Sequence, residues 1–255
     1  EITAGGMTAA LNLENNDYVS EIRVEEMAEG VGFMGEVARL HLTFSDETKK
    51  TVISKIPTQD PNIRSMLAPA RVFEREARFF QQAQPLIPDI TAKCLHVAID
   101  TENDDYLLIL EDLSDMREGD QLNGCSVDDA SLALEALAKL HRTFWGGKDL
   151  GSFDWLPDIN NAGMKVGREV YAQSLPGFLE AFGSSVHPEN ESLVERFGEN
   201  VHQLLDRLAA MPLTVCHMDY RADDLFFASD GSVNVIAFQT FSRHGHAADV
   251  GYLIS

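Results

Sequence analysis

Residues 213–227 read Leu-Thr-Val-Cys-His-Met-Asp-Tyr-Arg-Ala-Asp-Asp-Leu-Phe-Phe. Three carboxylates, Asp219, Asp223 and Asp224, share this stretch with His217 and Arg221. A short apolar strand precedes the polar loop, and a second apolar segment, 233–238, follows it. Such a frame brings several carboxylates together. One carboxylate beside an acceptor hydroxyl, with others holding a divalent cation against phosphates, is what phosphoryl transfer requires. A metal hydrolase built on His217, Asp219, Asp223, Asp224, His244 and His246 is a rival reading. It lacks an H-E-x-x-H or similar spacing.

Other elements must then supply the phosphate-binding parts. Ile22 and Val24 alternate with polar neighbours, as in a strand. Gly30, Gly32 and Gly35 follow in a G-x-G-x-x-G pattern. In a Rossmann unit the last glycine opens a helix. Here Ala38, Leu40, Leu42 and Phe44 alternate with Val37, Arg39, His41 and Thr43, so a strand follows instead. A polar turn at 45–48 and a third strand over 51–55 complete the pattern. The glycines therefore lie in a hairpin. That is the arrangement that covers nucleotide phosphates in kinases, and also that of an ordinary glycine-containing hairpin.

Lys55 ends the third strand among apolar residues, so it must snorkel or find a partner. Val72, Phe73, Glu76, Ala77, Phe79 and Phe80 recur at helical spacing. Glu76 lies on or beside that apolar stripe and is the expected partner of Lys55. Glu74 is the reserve. Two more strands, 95–99 and 106–110, flank a polar turn, and the second runs into Glu111-Asp112-Leu113. Ser126 caps a helix whose stripe is Ala133, Leu137, Leu140 and Phe144, ending at Gly146 and Gly147. His141 on that helix reads as a packed histidine. Leu193, Phe197, Val201, Leu204 and Leu208 mark another long helix, stopped near Pro212.

The chain has 255 residues, 44% of them hydrophobic, enough for a real core and not a disordered composition. No apolar run approaches the ~18 residues of a membrane helix. Residues 1–11 lack a basic region followed by an apolar stretch, so no signal peptide is expected. Cys94, Cys125 and Cys216 are widely spaced, which speaks against a disulfide scaffold or thiolate zinc site and fits a reducing cytoplasm. A net charge of −21 repels nucleic acids and anionic membranes, and otherwise reads as solubility.

Taken together, these segments resemble the aminoglycoside phosphotransferase and choline kinase superfamily, nearest to its ecdysteroid kinase-like group. The resemblance spans 19–255. It rests on the glycine hairpin, Lys55, the 73–80 helix, LILEDLSD at 108–115, GDQLNGCS at 119–126, LAKLHRTFWG at 137–146, HMDYRADDLFF at 217–227 and DVGYLIS at 249–255. It implies an α+β, bilobal, protein-kinase-like fold. A small antiparallel β lobe with one helix, over 1–110, would bind nucleotide, and a mainly helical lobe, over 111–255, would carry the chemistry. It implies ATP and Mg²⁺ as cofactors and a small hydroxyl-bearing molecule as acceptor.

The family's parts carry over residue by residue. Gly30, Gly32 and Gly35 cover the phosphates, Lys55 holds them and Glu76 fixes Lys55. Backbone groups around Glu111 and Leu113 meet adenine. Asp219 falls on the catalytic aspartate, His217 and Arg221 on residues that brace its loop, and Asp249 on a structural aspartate. Three positions depart from the family pattern H-G-D-Y-R-x-D-N followed by I-D-W/F-Q. Met218 replaces glycine, Asp224 replaces the metal-binding asparagine, and Ala237 replaces the metal-binding aspartate. Asp224 keeps an oxygen ligand, whereas Ala237 has none. Two readings follow: a phosphotransferase with an altered metal site, or a nucleotide-binding relative without transfer. Either way, two neighbouring carboxylates without a cation should leave one of them with a raised pKa or a solvent bridge.

Overall fold

Side-chain alternation along the first strands divides the N-terminal half between two apolar cores. In the computed structural model, which describes residues 2–14, 17–27, 34–148, 150–158 and 162–255, this half comprises α1 (Ala4–Ala10), β1 (Val19–Glu26), β2 (Gly35–Phe44), β3 (Lys49–Pro57), α2 (Pro61–Leu67), α3 (Val72–Arg78), β4 (Cys94–Asp100) and β5 (Asp105–Glu111). The strands form one antiparallel sheet in the order β1-β2-β3-β5-β4. Leu40, Leu42, Val52 and Ile109 point to one face and pack with Met7 of α1. Tyr106, Leu108 and Leu110 point to the other and pack with Phe73 and Ala77 of the expected helix, α3, and with Phe79 just beyond it. The short helices α1 and α2 accompany it. Asp60 caps α2, its Oδ1 accepting from Asn62 N at 2.8 Å.

After Arg78 the helix widens into a π turn over Phe79–Ala83. There Phe79 stacks on Phe238 with ring centroids 3.7 Å apart. This contact fixes α3 against the segment that follows Ala237, so both halves share one core.

The second half comprises β6 (Arg117–Glu118), α4 (Val127–Thr143), α5 (Ala162–Phe182), α6 (Pro188–Ala209), β7 (Leu213–Cys216), β8 (Leu225–Phe227), β9 (Val233–Val235), β10 (Ser242–Gly245) and α7 (Ala247–Leu253). Ser126 Oγ accepts from Asp129 N at 3.0 Å and starts α4, and Gly146 and Gly147 follow its end at φ 71° and 83°. β7 pairs with β10, and β6, β8 and β9 form a small sheet. These short pieces hold the loop 217–224 between them. Among the described residues, no helix is long and apolar enough to cross a membrane.

Gly119 shows how closely that loop is packed. Its N–H donates to Leu225 O at 2.8 Å, and a Cβ at Gly119 would lie 2.2 Å from Ala222 O. Gly119→Ala is therefore expected to cost ~1–3 kcal/mol, since an added methyl must displace backbone. Urea unfolding measures this, and an unchanged midpoint would mean that residue 222 gives way freely.

Candidate functional site

Lys55 and Glu76 meet because β3 and α3 share a core. Lys55 pairs across the sheet with Val37 on one side and Leu108 on the other. Its ammonium donates to Glu76 Oε1 at 2.8 Å, and Glu76 is 1% exposed. Tyr106 Oη donates to the other oxygen, Glu76 Oε2, at 3.1 Å. Burial first, and then the Glu76 charge, push the Tyr106 phenol well above its ordinary pKa. A buried pair of this kind adds little net stability, but it fixes the lysine's direction. Glu74 is engaged elsewhere, by Arg78 at 2.7 Å and by Arg71. The sequence reading missed Tyr106, although it shares the α3-facing side of β5 with Leu108 and Leu110.

Gly35 has a visible steric reason. A Cβ there would stand 2.9 Å from Ile56 O, 3.2 Å from Lys55 Cε and 3.4 Å from Tyr106 Oη. Only a bare backbone lets β2 lie against the lysine stem. Gly30 and Gly32 lie outside the described residues.

Lys55 and Glu76 open into a cleft of about 370 Å³. Val37 and Ile53 line one wall, Phe226, Ile236 and Ala237 the other, and 110–114 close the back. Both Glu111 and Leu113 thus face the cleft. Arg39 ties the wall to the back: its Nε donates to Asp112 Oδ2 at 2.9 Å and its Nη1 to Glu25 Oε1 at 3.2 Å. Burial raises the Asp112 pKa, but bonds from Thr51, Arg39 and Ser114 outweigh it and leave the carboxyl low. Arg39 was another missed residue; a charge inside an alternating strand was its signal.

The acidic loop hangs from Asp249. This fully buried carboxylate accepts from His217 N at 3.0 Å, Met218 N at 2.8 Å and His141 Nε2 at 2.9 Å. Burial raises its pKa, yet these donors outweigh burial and hold it low. His141 is packed, as its sequence setting suggests, with Asp249 as partner. His217 donates through Nε2 to Ile236 O at 2.7 Å and accepts from Asp219 N at Nδ1, 3.3 Å away. The histidine thereby links the loop to the segment bearing Ala237. Met218 adopts φ 68°, the left-handed region where glycine is unstrained. Tyr220 Oη anchors the loop to α4 through Ala133 O at 2.7 Å.

Asp219 remains partly exposed, with Arg221 beside it. Arg221 Nε stands 3.8 Å from Asp219 Oδ1 and 3.7 Å from Asp224 Oδ2, between the two carboxylates. Asp224 is 5% exposed, and its Oδ2 has no hydrogen-bond partner. Burial raises its pKa to about 6, with a further push from Asp219 and partial relief from His217, Arg221 and Lys55. Ile236 N donates to Asp224 O at 3.0 Å, placing Asp224 next to Ala237. Ala237 is left-handed, with φ 65° and ψ 57°.

Asp223 is drawn away: its Oδ1 accepts from Gln121 N at 2.7 Å. The hydrolase cluster does not assemble. Among the described residues, the His, Cys, Asp and Glu side chains whose ligand atoms converge are His141, Cys216 and Asp249. That group is the hydrogen-bonded brace behind the loop.

Comparison with known proteins agrees with this architecture. The model of the ecdysteroid kinase-like family matches residues 29–255. No curated protein matches the chain in sequence. The fold is similar to that of spectinomycin phosphotransferase APH(9)-Ia, solved with ADP and spectinomycin (TM-score 0.59, 12% identity, covering 98% of this chain and 73% of that chain). It is also similar to wild-type aminoglycoside 2'-phosphotransferase-IIIa in its GDP complex (TM-score 0.55, 13% identity, 92% and 73%). A third similar structure is choline kinase LicA from Streptococcus pneumoniae (TM-score 0.50, 13% identity, 92% and 69%). At these identities the solved structures speak for the fold alone, while the family match spans most of the sequence: the chain belongs to the ecdysteroid kinase-like family.

Proposed function

We propose that this chain binds ATP in its cleft and directs a hydroxyl of a small molecule at the γ-phosphate through Asp219, with transfer slowed by the alanine at 237. The observation that carries this reading is the buried Lys55–Glu76 pair at the inner end of the cleft. A lysine so ordered, inside a chain of net charge −21, is a fixed cation for phosphate oxygens. The lobes divide at 110/111, so that 1–110 holds the nucleotide and 111–255 brings the acceptor. Backbone groups of Glu111 and Leu113 meet the base, and Gly30, Gly32 and Gly35 cover the phosphates. Solved structures of similar fold hold ADP or GDP, and one also holds spectinomycin, which supports a nucleotide and a small molecule as the two partners. The setting is the cytoplasm.

Asp219 orients the acceptor hydroxyl and takes its proton as the new O–P bond forms and ADP leaves. His217 holds the loop in place for this, and Arg221 offsets the paired carboxylates. Magnesium, when bound, neutralises the charge that develops on the phosphate oxygens. Asp224 suits it, because its Oδ2 is buried and accepts no hydrogen bond and Mg²⁺ is held by one or two carboxylates plus phosphates. Ala237 contributes no side-chain oxygen. That absence also favours a second reading, a nucleotide-binding protein without transfer.

Lys55→Ala tests the shared part of both readings. Loss of one charge-assisted hydrogen bond is expected to weaken ATP binding about tenfold or more, measured by calorimetry. Unchanged affinity would place the phosphates elsewhere.

A further inference from the structure

Behind the acidic loop, three elements bring metal-ligating atoms together. His141 lies in the last turn of α4, Cys216 ends β7 and Asp249 sits in the first turn of α7. All three residues are buried, and their ligand atoms lie within 4.8 Å of one another. His141 Nε2 stands 2.9 Å from Asp249 Oδ2 and 3.8 Å from Cys216 Sγ. Ligand atoms held at about 2.0–2.3 Å by a tetrahedral zinc stand ~3.3–3.8 Å apart, so both distances fall within about half an ångström of what the metal requires. A fourth group lies nearby. His246 precedes α7 with its ring centroid 6.4 Å from that of His141, and its Nδ1 is buried without a hydrogen-bond partner. A cavity of about 430 Å³, walled by Leu137, Trp145 and Val250, reaches both histidines and gives a path from solvent. No sequence spacing announces this group, because His141 is 75 residues from Cys216 and 108 from Asp249.

We propose that His141, Cys216 and Asp249 form a structural site for a borderline-soft divalent cation, with zinc the best fit, and that His246 closes it as the fourth ligand. The site goes beyond the nucleotide reading and does not depend on it. Zinc takes thiolate, imidazole and carboxylate ligands together. One thiolate and one carboxylate cancel its charge, so the loaded site is neutral, as burial demands. On binding, the Cys216 thiol releases its proton to solvent. The proton on His141 Nε2 leaves and one is taken up at Nδ1, which frees Nε2 for the metal, while Asp249 is already ionised. Two histidines on one zinc have ring centroids ~5 Å apart, so His246 swings in by about 1 Å. Asp249 also accepts the N–H groups of His217 and Met218, at 3.0 and 2.8 Å. The metal therefore cross-links α4, β7 and α7 behind the loop that carries Asp219.

Cobalt titration of the full chain, reduced and freed of metal by chelation, tests the site. A Co²⁺–thiolate bond gives a charge-transfer band in the near ultraviolet, and the visible bands of Co²⁺ are strong in tetrahedral sites. Both are expected to appear and to saturate at one Co²⁺ per chain. Zn²⁺ should then bleach them, because zinc binds such sites more tightly than cobalt. Replacing the other two thiols together, Cys94→Ser with Cys125→Ser, should leave the charge-transfer band intact, and Cys216→Ala should abolish it. His246→Ala, at a partly exposed position, should keep the band but weaken Co²⁺ binding about tenfold or more. No charge-transfer band in the parent at millimolar Co²⁺ overturns the site. So does a band that vanishes with Cys94 and Cys125 or survives Cys216→Ala, and unchanged Co²⁺ affinity in His246→Ala overturns the four-ligand arrangement. The results on the parent and on the Cys94, Cys125 variant decide the matter even where Cys216→Ala fails to fold. Nucleotide takes no part in these readouts, so failure of the site leaves the ATP reading standing.

Discussion

Ala237→Asp should raise magnesium-dependent ATP consumption about 10²-fold or more, the usual scale for restoring one electrostatic contact to a transition state. Ala237 lines the cleft with Lys55 and Glu76, and Asp224 lies beside it through the Ile236 N–Asp224 O bond. A carboxylate at 237 would add an oxygen ligand to the cleft wall, on the segment that is bonded to the Asp224 backbone, so that a cation could draw on two carboxylates rather than one. The substitution is mild for the backbone. Position 237 has φ 65°, which aspartate tolerates better than alanine. Phosphate release in the presence and absence of Mg²⁺ measures the effect. Equal rates in the two proteins would mean that Asp224 alone already supplies the charge, and the slowed-transfer account would fail. Asp223 is a poor substitute, because its Oδ1 is committed to Gln121 N.

Asp224→Asn should make the protein more stable near neutral pH. The Asp224 carboxyl is raised from an ordinary 3.8 to about 6, chiefly by burial. Between those values the folded chain keeps a proton that the unfolded chain has lost. Asp224's contribution is therefore fully present below pH ~4 and is lost as pH rises through ~6. At pH 7 the loss amounts to as much as about 3 kcal/mol. Carboxylates held low, such as Asp112 and Asp249, work in the opposite sense, so the variant must be compared with its parent. Denaturant midpoints at pH 4 and pH 7 should coincide at the lower pH and differ by ~1–3 kcal/mol at the higher. A constant difference at both would detach the effect from Asp224 ionisation.

Much of this arrangement was legible before any coordinates, and the reasons are physical. Period-two alternation after Gly35 requires a strand, and the strand excluded a dinucleotide fold. The 3.6-residue spacing around Phe73 and Phe80 requires a helix with Glu76 on its inner side. A raised carboxyl was expected from crowding in this loop; Asp224 has one, but burial is its chief cause and the Asp219 charge only a further push. Contacts fixed only by packing were not legible. Tyr106 completes the Lys55–Glu76 pair because β5 happens to lie beside β3, a neighbour relation that local patterns do not encode. Arg39 meets Asp112 across 73 residues of chain for the same reason. The left-handed backbone at Met218 was hidden too, since methionine does not announce the conformation that glycine would.

The central claim is that this cleft binds nucleotide through Lys55 and backbone groups, with magnesium contributing little while position 237 is alanine. Calorimetric titration of the unmodified chain with ATP, with and without Mg²⁺, tests it directly. The account predicts saturable one-to-one binding in both conditions, with affinities within about threefold, because a single aspartate adds little to the metal's hold. Binding that appears only with Mg²⁺, or no binding in either condition, would contradict it.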